Sequence, residues 1–192
     1  MICSGIILSG GRGRRAGGAD KGRLPYADST LVEQVLERIT PQVDDITLSA
    51  NRNLEWYKTL GVAVVGDERA DYQGPLAGLE AALPLCQHSL VLLVACDTPL
   101  LPTDLAARLQ APLTDGNIDL SYASANGRDH YLAAVIRTEL LPGLRDYLDR
   151  GGRSVRGWYG ELRTACVNFD DRASAFANFN SPNPGPETTN PP

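Results

Sequence analysis

Residues 6–24 read IILSGGRGRRAGGADKGRL. Ile6-Ile7-Leu8 has the character of a buried strand, after which the chain breaks into a stretch with six glycines: Gly10, Gly11, Gly13, Gly17, Gly18 and Gly22. Glycine loses more backbone freedom on folding than any other residue, so such a cluster points to a main chain that takes positive φ or lies close to a ligand. Arg12, Arg14, Arg15, Lys21 and Arg23 stand among the glycines. Amide donors bared by glycine, beside guanidinium and ammonium groups just past a strand end, are the parts that hold a run of phosphates. Only Lys21 and Lys58 are lysines among 18 basic residues. That economy fits a need for a compact point charge at Lys21.

Two better-known phosphate motifs are excluded. Gly11-x-Gly13-x-x-Ala16 has the spacing of a dinucleotide fingerprint, but three arginines and a second glycine pair follow where a helix should open. The next strand also ends in Ser49-Ala50-Asn51 rather than in an acidic residue. The P-loop pattern fails because Lys21 is followed by Gly22, with no hydroxyl for a metal.

Outward from this stretch, strands and helices alternate. Thr30-x-x-Glu33 is a capping box before Val32, Val35, Leu36 and Ile39, which share one helical face. Ile46–Ser49 and Val62–Val65 read as strands with polar exits, Ser49-Ala50-Asn51-Arg52 and Gly66-Asp67. Gly74-Pro75 opens a helix to about Cys86, with proline at the first turn where its missing N–H costs nothing. Leu90–Cys96, LVLLVAC, is apolar throughout, as expected of a central strand covered on both faces. It stops at Asp97-Thr98-Pro99. A carboxylate placed there, across from the glycine stretch, is well sited for Mg²⁺, which takes one or two carboxylates plus substrate phosphates.

Further on, Pro102-Thr103-Asp104 starts a helix to about Leu109. Ile118–Ala123 and Tyr131–Ile136 read as strands, one of them a candidate antiparallel member, joined by a charged turn Gly127-Arg128-Asp129-His130. His130 could be a ligand contact or a structural residue; a lone histidine is more often structural, and no acid/base role is assigned to it. Glu139–Leu148 is an amphipathic helix, Ser154 a candidate N-cap, and Thr164–Val167 a last strand. The expected fold is a three-layer α/β/α Rossmann-like arrangement around a mainly parallel, mixed sheet. One domain is expected over residues 1–180, and from Ser181 onward SPNPGPETTNPP reads as a disordered tail.

The net charge of −5 argues against a nucleic-acid partner, since cations are concentrated in one stretch of an acidic chain. A small anionic ligand suits that pattern. Cys3, Cys86, Cys96 and Cys166 form no CxxC pair, so neither a zinc site nor a disulfide framework is indicated. No opening segment pairs a basic with an apolar stretch, and no apolar run approaches the ~18 residues of a membrane span. A soluble, cytoplasmic protein is expected.

Together these motifs resemble the molybdenum cofactor guanylyltransferases, MobA-type members of the nucleotidyltransferase class. The resemblance rests on Leu8-Ser9-Gly10-Gly11 followed by Arg15, Gly17-Gly18 and Asp20-Lys21-Gly22; Ala50-Asn51-Arg52; Asp67, Asp71-Tyr72 and Gly74-Pro75-Leu76-Ala77-Gly78; and Cys96-Asp97-Thr98-Pro99. Arg128-Asp129-His130, Gly152-Arg153 and Asn178-x-Asn180-Ser181-Pro182 extend it. It implies a nucleotidyltransferase fold and transfer of GMP from GTP to the terminal phosphate of molybdopterin, releasing pyrophosphate. By the same resemblance Leu8, Ser9, Gly10, Gly11, Arg15 and Lys21 hold the nucleotide, with Arg15, Lys21 and Asp97 catalytic. Ser49, Asn51, Asp67 and Gly78 face the guanosine, Asp97 binds Mg²⁺, and Arg153, Asn178 and Asn180 contact the pterin. Proteins that deliver molybdopterin or accept the product are conceivable partners. Ser9, Ala16, Ser49 and Tyr131 depart from the family's commoner Ala, Met, Asn and Pro. A relative using CTP or a sugar phosphate, or a nucleotide-binding module without turnover, stays open on the residues alone.

Overall fold

The structure, a computed structural model, describes residues 2–10, 20–69 and 73–179. From β1 (Ser4–Leu8) the chain passes to a small hairpin, β2 (Pro25–Tyr26) and β3 (Ser29–Thr30), and then to α1 (Leu31–Ile39). It continues through β4 (Asp45–Ser49), α2 (Leu54–Lys58), β5 (Ala63–Val65), α3 (Pro75–Ala82) and β6 (Leu90–Ala95). Next come α4 (Leu105–Gln110), β7 (Leu120–Ala125), β8 (Arg128–Arg137), α5 (Leu141–Asp149), α6 (Val155–Tyr159) and β9 (Thr164–Asn168).

Local chemistry sets these boundaries. The capping box is present: Thr30 N donates to Glu33 Oε2 at 2.9 Å, and Glu33 N returns a bond to Thr30 Oγ1 at 3.5 Å. Gly74, at φ 88°, turns the chain so that Pro75 can open α3. That helix is buried from Leu76 to Ala82 and ends earlier than the sequence implies. Pro84 sits in the 3₁₀ turn Leu83–Leu85 that follows it, because proline cannot continue the helical hydrogen-bond ladder.

Seven strands form one sheet in the order β5-β4-β1-β6-β8-β7-β9. The chain works outward from β1 to β4 and β5, then crosses back to β6 on the other side of β1, every one of these pairs being parallel. The order therefore reverses between β1 and β6, and in open α/β sheets such a reversal leaves a crevice at the strands' carboxyl ends. β8 runs antiparallel to both of its neighbours, while β9 pairs in parallel with β7.

Alternate residues of the central strands feed two cores. Ile7, Leu92 and Val94 pack with Val32, Val35 and Ile39 of α1, Tyr57 of α2 and Leu105 and Leu109 of α4. Ile6, Val91 and Leu93 pack on the other face with Leu76 and Leu79 of α3, Leu144 and Leu148 of α5 and Trp158 of α6. The layered α/β/α fold and mixed sheet thus match the sequence reading. Each fully buried Leu, Ile or Val contributes about 1.5–3 kcal/mol.

One local expectation fails. Gly127–His130 is not a charged turn: Asn126 and Gly127, at φ 49° and 71°, make a two-residue turn, and Arg128 already pairs with Ala125. An Asn-Gly pair suits a hairpin whose two central residues both need positive φ, so the charged residues that follow belong to β8. The hairpin β2/β3, α2 and the 3₁₀ segment Asp170–Phe176 are additions to the sequence reading. Among the described residues no helix is long and apolar enough to cross a membrane. The proposed tail, 181–192, lies outside the described residues.

Candidate active site

Strands β5, β4, β1 and β6 end on one edge of the sheet. Main-chain bonds continue past their ends: Ala50 N to Val65 O at 2.9 Å, Ser9 N to Ser49 O at 2.8 Å and Cys96 N to Leu8 O at 3.1 Å. Asp67, the Ser49–Asn51 segment, the Leu8–Gly10 segment and Asp97 therefore follow one another in spatial order along this edge.

At the β1/β6 crevice the loop lysine meets the strand-end carboxylate. Lys21 Nζ lies 3.1 Å from Asp97 Oδ2, in a pair that is largely shielded at the Asp97 end. Asn178 Nδ2 donates to the same oxygen at 3.4 Å, and Phe179 N donates to the Asp97 carbonyl at 2.8 Å. The Thr98 hydroxyl closes the turn on Ala95 O at 3.0 Å. Asn178 thus stands beside Asp97. Gly11, Arg15 and Asn180 lie outside the described residues.

The other end of the row is a polar clasp. Asn51 Nδ2 donates to Asp67 Oδ2 at 2.7 Å, and Asp67 N donates to Asn51 Oδ1 at 2.8 Å. Burial pushes the Asp67 carboxyl above its ordinary value, and the Asn51 amide and the nearby Ser49 hydroxyl pull it part of the way back. Asp67 Oδ1 and Ser49 Oγ are buried near one another without a hydrogen bond of good geometry to any described residue. Leaving such atoms unpaired costs about 1–3 kcal/mol each. Gly78 of α3 packs directly on Ser49: an added Cβ would stand 2.5 Å from Ser49 Oγ and 3.2 Å from Leu8 Cδ2. Arg69 fastens the segment after Asp67, bonding Glu80 of α3 through Nε at 2.6 Å and Asp149 of α5 through Nη2 at 2.8 Å.

Beyond Asp97 a cavity of about 430 Å³ opens against β8. The β7/β8 register jumps from Tyr122↔Ala134 to Ala123↔His130, so Tyr131, Leu132 and Ala133 have no partners in β7. Irregularities of this kind re-aim side chains, and all three residues line the cavity together with Leu8, Lys21 and Asp97. The His130 ring lies 4.7 Å from that of Phe176, and burial together with Arg128 holds its pKa below the ordinary histidine value. Arg153 is directed elsewhere: its guanidinium donates to Leu148 O at 2.7 Å, at the end of α5, and it does not line this cavity. Phe176 and the Tyr131–Ala133 segment were not legible as site residues, although the Asn126-Gly127 pair could have signalled the hairpin that carries Tyr131.

Among the described residues no group of three or more His, Cys, Asp or Glu could enclose a metal. Asp97 is a single strand-end carboxylate, a donor set that fits an ion completed by substrate phosphates. A switch-point crevice, a lysine–carboxylate pair within it and a polar clasp one strand away define a nucleotidyltransferase class of α/β protein.

The comparisons narrow the class. Residues 5–164 match the family described as MobA-like NTP transferase domain. The molybdenum cofactor guanylyltransferase of Polynucleobacter asymbioticus is 42% identical over 93% of this chain and 92% of its own length. That of Shewanella sediminis is 38% identical over 92% and 90%. A crystal structure of molybdopterin-guanine dinucleotide biosynthesis protein A from Archaeoglobus fulgidus superposes with a TM-score of 0.76 at 21% identity, covering 93% of each chain, and so shares the fold. The chain belongs to the MobA-like nucleotidyltransferase family, with the molybdenum cofactor guanylyltransferases.

Proposed function

We infer that this chain transfers GMP from GTP to the terminal phosphate of molybdopterin, giving a guanine dinucleotide and pyrophosphate. The observation that carries the reading is the Lys21–Asp97 pair at the β1/β6 reversal, 3.1 Å apart and bordered by both the nucleotide row and the β8 cavity. An oxygen of the acceptor phosphate attacks the α-phosphorus of GTP, a new P–O bond forms, and the bond to the β-phosphate breaks with its electron pair leaving on pyrophosphate. The acceptor oxygen is already anionic, so no general base is required.

What remains for the protein is alignment and charge stabilisation. Lys21 holds the α-phosphate and offsets the charge that builds there, helped by Arg15. Leu8, Ser9, Gly10 and Gly11 give the triphosphate a main-chain bed. Asn51, Asp67 and Ser49 address the guanosine: the unpaired Asp67 Oδ1 can accept from the base's N–H edge, and the unpaired Ser49 hydroxyl can donate or accept. Gly78 acts by letting α3 approach them. Asp97 would hold Mg²⁺, which when bound supplies positive charge to the phosphates. The β8 cavity receives the pterin, with Asn178 at its border and Asn180 as a further contact, while Arg153 acts indirectly by tying the α5 terminus.

The test is an assay with molybdopterin, Mg²⁺ and one nucleoside triphosphate at a time. Pyrophosphate release and a guanine dinucleotide identified by mass spectrometry are expected with GTP alone. A cytosine dinucleotide, or no product with any nucleotide, would contradict the reading.

A further inference from the structure

The glycine-rich stretch leaves β1 at Ser9-Gly10 and returns at Asp20, and both ends converge on one buried phenol. Tyr57 of α2 is fully buried, yet its hydroxyl lies 2.6 Å from Ser9 Oγ and 2.7 Å from Asp20 Oδ1. An ionised carboxylate can only accept, so the phenol donates to Asp20 and the Ser9 hydroxyl donates to the phenol oxygen. Asn53 Nδ2 donates to the other Asp20 oxygen at 2.8 Å. Gly22 is pressed against the same groups: an added Cβ would overlap Ser9 Oγ and Tyr57 Oη. Arg23 then lies 5.1 Å over the ring of Trp56. Helix α2 and the residue before it thus fasten the return of the stretch, and Lys21 is the next residue after Asp20.

We propose that Tyr57 is a positioning residue for the transfer step: acting through Ser9 and Asp20, its hydroxyl joins the two ends of the glycine stretch and fixes the backbone from which Lys21 reaches Asp97. The proposal rests on the reading of Lys21 and Asp97 as the reactive end of the site. A purely structural role would need only the ring, because phenylalanine fills the same volume. A buried hydroxyl costs free energy unless it is bonded, and here its two bonds are spent on the two ends of one loop. Lysine carries its charge on a flexible four-carbon stem, so its placement depends on where its main chain stands.

Tyr57→Phe deletes one oxygen and keeps the ring. Two quantities are read: steady-state turnover of GTP with molybdopterin, and hydrogen exchange at the Arg23 and Leu24 amides, which bond Asp20 O and Lys21 O at 3.1 and 3.0 Å. A displacement near 1 Å costs about a hundredfold in rate, so kcat should fall at least about tenfold while KM for GTP changes by less than about threefold. Exchange at the two amides should rise about tenfold, with that of β1 and β6 unchanged. Asp20→Ala should act in the same direction, and the double variant should be no slower than the slower single one, since both cut the same connection.

The proposal is overturned if Tyr57→Phe keeps kcat within about twofold and leaves exchange unchanged, or if the two losses multiply in the double variant. Should Tyr57→Phe not fold, Asp20→Ala is read by the same two quantities. If the wild-type protein itself forms no product, the functional reading falls separately. Exchange then decides the positioning: faster exchange at Arg23 and Leu24 upholds it, and unchanged exchange refutes it.

Discussion

The two halves of the sheet edge are built by different means. On β5, β4, β1 and β6, the segments Leu8–Gly10 and Ser49–Asn51 and the carboxylates Asp67 and Asp97 stand at or just past the ends of parallel strands, where pairing stops and polar main chain and side chains are released together. On β8 the wall comes from within a strand running the opposite way, where a register jump turns out Tyr131–Ala133, and Phe176 and Asn178 arrive from a segment folded back from the C-terminal side. One half is made where chain pairing ends and the other where it continues irregularly. Chemistry placed at strand exits leaves a mark in the sequence, an apolar run cut off by polar residues; chemistry placed inside a strand leaves almost none.

The sharpest way to break the comparison is to remove the group where the halves meet. Asp97→Ala should lower kcat by about 10²–10³-fold, the usual loss for one electrostatic contact to a reacting group, while the thermal midpoint moves by no more than a few degrees. A variant with full, Mg²⁺-responsive activity would show that the crevice is not the reactive centre. Gly78→Ala tests the nucleotide half by packing. Its methyl group would crowd Ser49 Oγ at 2.5 Å, and overpacking of this kind costs about 1–3 kcal/mol. Denaturant unfolding should show that loss together with weaker GTP binding.

On the other half, His130→Ala should raise KM for molybdopterin between about twofold and tenfold, the worth of one aromatic contact, and leave KM for GTP unchanged. Equal effects on both substrates would erase the division between the halves.

The smallest expected effect concerns Asp67. Its folded pKa is raised, so the folded protein holds this proton to a higher pH than the unfolded chain does. The carboxyl therefore favours folding less as pH rises through the raised value. Asp67→Asn should be slightly more stable than wild type at pH 7, by a degree or two in thermal midpoint, and the difference should shrink on acidification. GTP affinity of the wild-type protein should weaken over the same descent, as the accepting oxygen takes up its proton; the Asn variant should show no such titration.

How far the sequence could be read follows the same division. LVLLVAC ending in Asp97, and Ile6-Ile7-Leu8 ending in glycines, disclosed the central strands and set Asp97 across from the glycine stretch, because a strand buried on both faces reads as a nearly continuous apolar run until it ends; that Lys21 itself meets Asp97 was not legible. The Thr30–Glu33 box was legible because capping is written in four consecutive residues. Tyr57 was not: an aromatic on a five-residue helix looks like core, and only the fold brings its hydroxyl to Ser9 and Asp20, 48 and 37 positions away. The bond of Arg153 to Leu148 O was not legible either, since its place after two glycines gave no sign that its guanidinium would reach the end of α5.

The most direct measurement is the thermal midpoint with GTP, CTP, ATP or UTP, each with and without Mg²⁺, for the wild-type protein and Asp97→Ala. At about 100 times its dissociation constant a bound nucleotide adds roughly 2.7 kcal/mol to stability by mass action. The account predicts that GTP alone produces this shift in the wild-type protein and that Asp97→Ala loses the part dependent on Mg²⁺. A shift with CTP in place of GTP, or with no nucleotide at all, would contradict the central claim that this strand edge is a guanine nucleotide site.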